Sequence, residues 1–227
     1  MKKTPKKYQP KGLSILYEDA EIIVVNKIEG LLTIGTDRER QKTAQSRLNN
    51  YVKKGSKQSR NRVFIVHRLD RDTSGVLIFA KNETAKHYLQ ENWKKFSKRY
   101  VTVVHGNFAE KEGIISSYLV ENKMHRMYSS NDSDKGKYAK TGYKVIKESK
   151  RLSLLEIYLY TGRKHQIRVH LSEKGHPVAG DTIYGADRTA KRLALHSVSL
   201  TILHPTTQKE MSFETEIPLS LKSLVKL

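Results

Sequence analysis

Residues 67–81 read His-Arg-Leu-Asp-Arg-Asp-Thr-Ser-Gly-Val-Leu-Ile-Phe-Ala-Lys, and they set a carboxylate, Asp70, between two apolar runs at residues 63–66 and 76–80. The runs predict two strands around a turn at Asp72-Thr73-Ser74-Gly75, residue types suited to tight turns. A carboxylate at the edge of a buried sheet must be paired or put to use, because burying it alone is costly. In so basic a chain, an acid held at that place calls for a role.

Upstream, residues 15–17 and 22–25 are β-prone runs around the acidic turn Glu18-Asp19-Ala20-Glu21. Residues 26–35 read as a loop. Ala44, Leu48, Tyr51 and Val52 then recur at helical spacing, followed by Lys53, Lys54 and a capping Gly55. Downstream, Asn82 is placed to cap a helix with Ala85, Tyr88 or Leu89, Trp93 and Phe96 on its apolar side. Residues 100–104 form another strand, closed by His105-Gly106. Residues 107–150 are the least regular third, with the polar stretch 129–134 suited to a loop or hairpin. Residues 143–146 and 152–160 alternate like antiparallel strands, 164–173 predict a short helix, and 195–203 and 211–216 predict two final strands. Many strands, few helices and no regular β-α alternation predict an α+β fold with a mixed, largely antiparallel central sheet and flanking helices. No linker divides the chain, so one domain over residues 13–227 is expected after a basic tail at residues 1–12.

The 227 residues carry 43 Lys and Arg against 23 Asp and Glu, a formal net charge of +20. Such an excess is compensated most naturally by a polyanion, nucleic acid or an acidic surface. The absence of cysteine excludes disulfides, thiolate metal sites and cysteine nucleophiles. Residues 1–11 contain five lysines with no apolar core behind them, and no apolar run reaches the length of about 20 residues that spans a bilayer. A soluble, cytoplasmic protein, monomeric by default, is expected. The basic start reads either as a phosphate-binding arm or as a solubilising tail.

Asp70 can be read as a metal ligand, an acid/base group, a nucleophile or half of a buried Asp–Arg pair. His67 lies three residues away, but on a strand residues 67 and 70 point to opposite faces, and no second acidic cluster stands by, so no metal is expected. A carboxylate needs no activating base, being ionised at neutral pH by its ordinary acidity. Spacing alone favours the structural pair. Residues 161–171, Thr-Gly-Arg-Lys-His-Gln-Ile-Arg-Val-His-Leu, supply a second polar cluster. If helical throughout, they put Arg163 and Arg168 about 140° apart and His165 and Arg168 on one face.

Several motifs now line up in order. They are His67-Arg68-Leu69-Asp70 with Thr73-Ser74-Gly75 and Ala80-Lys81, residues 100–106, and Thr161-Gly162-Arg163 with His165-Gln166-Ile167-Arg168. Flanking them are Ile15-Leu16-Tyr17-Glu18-Asp19, Val24-Val25-Asn26-Lys27, Gly175-His176-Pro177, Gly180-Asp181, Leu195-His196 and His204-Pro205. From about Leu13 to Pro218 the chain resembles the RluA-type pseudouridine synthases. The resemblance implies the pseudouridine synthase catalytic fold and isomerisation of uridine in a structured RNA, ribosomal or transfer, with no cofactor and no metal. It implies Asp70 as the catalytic aspartate, Arg168 as the partner that keeps it ionised and oriented, and Tyr100 as the ring that stacks on the base and handles a proton. Arg68 is implied to fill the space of the flipped uridine and Ile167 to touch the base. His67, Arg163 and His165 complete the substrate contacts. Flipping is what any enzyme needs that works on a base inside a helix.

Two departures stand out. Ile28 occupies a place where family members usually have proline, and Lys164 one that is often Thr or Ser. The small RNA-binding domain that precedes the catalytic domain in many relatives has no room within residues 1–12. Recognition is therefore expected from the catalytic domain, the tail and the basic segment 53–62, with Lys53, Lys54 and Arg60 on the RNA backbone. The rival reading is a catalytically silent RNA-binding protein of the same fold, acting in RNA folding or ribosome assembly.

Overall fold

The strand, turn and strand around Asp70 form, but unequally. In the computed structural model, which describes residues 9–35, 39, 41–56, 58–185 and 190–226, the upstream arm β3 is only Phe64–Ile65, whereas β4 spans Ser74–Ala80 with all seven residues buried. Residues 66–73 are irregular. One cause is local: the His67 Nε2 accepts the backbone N–H of Ile78 at 3.3 Å, taking a β4 donor that a longer ladder would use. The turn also lies earlier than expected, with the Thr73 N–H bonded to the Asp70 carbonyl at 3.2 Å.

The chain divides into two compact units, Met1–Phe96 with Ser199–Thr215, and Ser97–Val198 with Glu216–Leu227. In the first, β1 (Leu13–Glu18) pairs antiparallel with β2 (Ile22–Lys27), and β2 pairs with β4 from Ile22↔Ala80 to Lys27↔Gly75. Gly75 takes φ +115°, a torsion that side chains resist. Helix α1 (Ala44–Val52) is capped by Thr43, and α2 (Glu83–Glu91) by Asn82, each side chain accepting an N–H of the first turn. Helix α2 stops at Glu91, so Trp93 falls in a 3-10 turn, Trp93–Lys95, and Phe96 follows it. Strand β10 (Leu195–Leu203) supplies its residues from Ser199 onward and pairs there with β11 (Glu210–Glu214). Ile22, Val24, Val76, Ile78, Ala85, Leu89, Leu200 and Ile202 form this unit's core. Residues 10–12 are anchored to the unit by backbone bonds, Leu13 N–H to Pro10 and Ile28 N–H to Gly12, and by Arg47 to the Lys11 carbonyl. Residues 1–8 of the expected tail lie outside the described residues.

The second unit holds an antiparallel ladder in the order β5 (Ser97–His105), β9 (Leu152–Leu159), β8 (Lys137–Glu148), β6 (Glu112–Glu121) and β7 (Met127–Ser130). Residues 107–150, expected to be the least regular third with a single strand at 143–146, therefore contain three strands. The expected strand at 143–146 is the second half of β8, whereas β6, β7 and the start of β8 escape sequence reading because exposed Ser116, Lys137 and Tyr138 dilute the apolar signal. The covered face carries α3 (Gln166–Glu173), whose Ile167 and Leu171 join Tyr143, Leu155 and Ile157 in the core. A short α4 (Leu219–Lys222) follows Pro218. No helix among the described residues is long and apolar enough to cross a membrane.

Candidate active site

Asp70 is half-buried, in a loop held at both flanks. On one side Thr33, itself buried, clamps the backbone of Leu69: its hydroxyl donates to the Leu69 carbonyl at 2.8 Å and accepts the Leu69 N–H at 3.1 Å. On the other, the fully buried Lys27 donates to the carbonyls of Leu31 (2.7 Å), Ile28 (3.0 Å) and Arg71 (3.1 Å). Farther back, the His67 ring stacks on Trp93 with centroids 4.2 Å apart, and Gln90 donates to the Ile65 carbonyl at 3.0 Å. The sequence puts these anchors far from Asp70 in the chain, on β2, on the loop after it and on α2. Together they fix the backbone on both sides of one carboxylate. Arg68, Arg71 and Asp72 are exposed beside it.

In the second unit, α3 opens through His165, which sits at φ +52° and turns the chain into the helix. Gln166 locks this entry to the sheet. Its Oε1 accepts the Thr161 hydroxyl and the Arg163 N–H, while its Nε2 donates to the Lys140 carbonyl and the Thr141 hydroxyl. Arg168, buried, forms a two-pronged pair with Asp181, Nε to Oδ2 at 2.7 Å and Nη2 to Oδ1 at 2.8 Å. Burial pushes the Asp181 carboxyl up, but Arg168 and the N–H groups of Tyr184 and Ile183 outweigh it and hold it below the usual carboxylate range. The Arg168 guanidinium lies 5.1 Å from the centre of the Tyr184 ring, and the Tyr184 hydroxyl bonds His165 Nδ1 at 2.8 Å and the Met127 N–H at 3.0 Å. Tyr100, half-buried on β5 opposite Ile157, packs against the same core cluster as Ile167.

Each unit thus gathers part of the expected set. His67, Arg68 and Asp70 share one loop, and Lys53, Lys54 and Arg60 cluster at and after the end of α1, with Lys53 half-buried and the other two exposed. His165 and Arg168 do meet, through Tyr184. They do not share a helix face, however: α3 begins at Gln166, so Arg163 and His165 lie outside it. Arg163 donates through Nε to the Tyr138 carbonyl at 3.0 Å. His67 and Asp70 are likewise both off any strand, so strand alternation does not set them on opposite faces. Among the described residues there is no group of three or more His, Cys, Asp or Glu that could hold a metal ion. Asp181, Tyr184, Thr33 and the ammonium of Lys27 went unassigned in the sequence. Only the Gly180-Asp181 and Asn26-Lys27 dipeptides flagged two of them.

The helix is also tied down by a buried imidazole. His170 bonds the Thr141 hydroxyl through Nδ1 (2.9 Å) and the Ser117 hydroxyl through Nε2 (3.0 Å), and burial pushes it down to about 4. Burial and Arg192 do the same to His196, also to about 4. Both favour the neutral form in the fold, so their stabilisation is complete above the unfolded value near 6.5 and is lost as pH falls from there toward about 4. The thermal midpoint is expected to drop over that window, at a cost of up to about 3 kcal/mol per histidine at its acid end. A melting curve that keeps its midpoint between pH 7 and pH 4.5 would contradict this.

This chain belongs to the RNA pseudouridylate synthase family, whose sequence profile matches residues 21–173. It is 35% identical over 222 residues to an uncharacterized RNA pseudouridine synthase of Bacillus subtilis, covering 96% of this chain and 77% of that one. It is 37% identical over 198 residues to the ribosomal large subunit pseudouridine synthase D of Borreliella burgdorferi, covering 84% and 61%. Among solved structures, human RNA pseudouridylate synthase domain containing 1 superposes with a TM-score of 0.75 at 28% identity, covering 95% of this chain and 87% of that one. Human RNA pseudouridylate synthase domain containing 4 does so with the same TM-score at 25% identity, covering 91% and 89%. The family is the RluA-type RNA pseudouridine synthases, isomerases that convert uridine to pseudouridine.

Proposed function

We propose that this chain isomerises specific uridines in a structured ribosomal or transfer RNA, working as a cytoplasmic monomer through residues 13–227, with Asp70 as the catalytic carboxylate. The observation that carries the assignment is the two-sided anchoring of Asp70, by Thr33 at Leu69 and by Lys27 at Arg71. A loop whose only task was to turn the chain has no need of a buried ammonium spent on three carbonyls. The reaction breaks the bond from uracil N1 to the ribose C1′ and forms one from uracil C5 to C1′. The C5 proton leaves and N1 gains one, so nothing is added or lost overall. A covalent carboxylate route divides such an exchange into easier steps.

In this reading Arg168 is the guanidinium that serves Asp70, as the family resemblance implies, and Tyr100 stacks on the base and handles the C5 proton. Ile167 lends an apolar contact, and Arg68, His165 and Arg163 meet the RNA around the flipped nucleotide. His67, stacked on Trp93, acts mainly by holding the loop. The basic residues 1–12 and the segment from Lys53 to Arg60 track phosphates.

The test compares RNA from cells with and without the gene, mapping pseudouridine by carbodiimide adducts. A position that loses its adduct on deletion and regains it with the wild-type gene supports the reading; an unchanged map overturns it. Replacing Lys53, Lys54 and Arg60 by Gln is expected to weaken RNA binding and to lower the slope of log affinity against log salt by about 2 to 3. An unaltered slope would remove this segment from the RNA footprint.

A further inference from the structure

Arg168 is buried, and a buried guanidinium can adopt several orientations unless something selects one. Asp181 is built to select it. Its backbone is fixed before its side chain acts: its N–H bonds the Val178 carbonyl at 3.1 Å, Val178 bridges Val104 of β5, and the Ala179 N–H bonds the Val103 carbonyl at 2.9 Å. Gly180 beside it takes φ +74° with the Arg192 carbonyl so close that a Cβ would overlap it, so this approach admits only glycine. The side chain is then oriented by two N–H groups, from Ile183 at 2.9 Å and Tyr184 at 3.0 Å, both on Oδ1. With its side chain fully enclosed, the carboxylate offers Arg168 both oxygens, and the Tyr184 ring closes over the guanidinium.

We propose that Asp181 is the positioning residue of the isomerase site, holding Arg168 charged and in one orientation, with the Tyr184 ring as the wall that keeps it there. This rests on the reading of Arg168 as the guanidinium that serves Asp70. Asp181 touches neither base nor ribose; it acts through Arg168. A misplacement of about 1 Å at such a group is enough to slow a reaction about a hundredfold.

The experiment measures tritium release from RNA labelled with [5-3H]uridine and taken from cells lacking the gene, together with RNA affinity. Asp181→Asn keeps the shape but removes the charge. Asp181→Ser leaves room for water to solvate Arg168, so it covers the case in which the Asn variant does not fold. Each folded variant is expected to react about 10- to 100-fold more slowly under single-turnover conditions, with RNA affinity within about twofold of wild type. The Arg168 Nε–H resonance, protected in the wild type by Asp181, is expected to broaden or vanish. A purely structural role would leave the rate of the folded fraction unchanged, although the resonance would move in either case. A folded variant that reacts at the wild-type rate, or that loses rate and affinity in equal measure, overturns the proposal while leaving the proposed function intact. A wild-type chain that releases no tritium overturns both.

Discussion

Asp70→Asn is expected to abolish pseudouridine formation, by at least about a thousandfold, while the protein still folds and still binds RNA. The substitution keeps size and shape and changes only the charge and nucleophilicity of one half-buried side chain. The contacts that shape the loop are made to the backbone: Thr33 to Leu69, Lys27 to Arg71, and the Thr73 N–H to the carbonyl of residue 70 itself. None of these three uses the carboxylate, so with folding and RNA affinity retained a loss of activity would report chemistry. The measurement is the carbodiimide map of RNA from a deletion strain carrying either the wild-type or the Asn gene, with RNA affinity measured on the purified proteins. If the Asn gene restores the map as fully as the wild type, Asp70 is not the catalytic group. If neither gene alters the map while both proteins bind RNA, the silent RNA-binding reading replaces the enzymatic one.

Lys27→Met is expected to lower the stability of the fold by about 3 kcal/mol and to slow isomerisation as well. Methionine fills nearly the same volume, but it leaves the carbonyls of Ile28, Leu31 and Arg71 without the ammonium that now gathers them. Burial prevents water from replacing that donor at full strength, which is why removing one partner costs more than the net worth of the bonds. The same change releases the loop after β2 from Arg71, the residue next to Asp70, so rate and stability should fall together. Thr33→Val, by contrast, frees only one backbone N–H and one carbonyl at Leu69 and should cost about 1 to 2 kcal/mol. Denaturant midpoints of the two variants check the order. A loss under about 1 kcal/mol for Lys27→Met would show that the three carbonyls find other donors and that Lys27 is not a principal anchor.

Much of the architecture was legible residue by residue. The cap Asn82, the acidic turn after β1, and the apolar runs of β2, β4 and β10 carry local signals strong enough to place their elements. The signal failed where a strand is half-solvated, as in β6 and the first half of β8, and where a side chain interrupts a ladder, as His67 does beside β4. It also failed at the site's supports. Thr33 meets Leu69 across 36 positions and Lys27 meets Arg71 across 44, and neither pairing leaves a periodicity to read.

By itself, then, the sequence determined the class of fold through its runs of strands and few helices, and the stretch from His67 to Lys81 placed Asp70 between two apolar runs, because apolar runs and turn residues act through neighbours in the chain. Only the tertiary structure decided how each acid and base is held. It gave Asp70 an irregular loop pinned by Thr33 and Lys27, and it gave Arg168 a buried partner in Asp181. The reason is physical: a buried charge is tolerated only where distant segments bring it its hydrogen bonds, and those segments become neighbours only when the chain has folded.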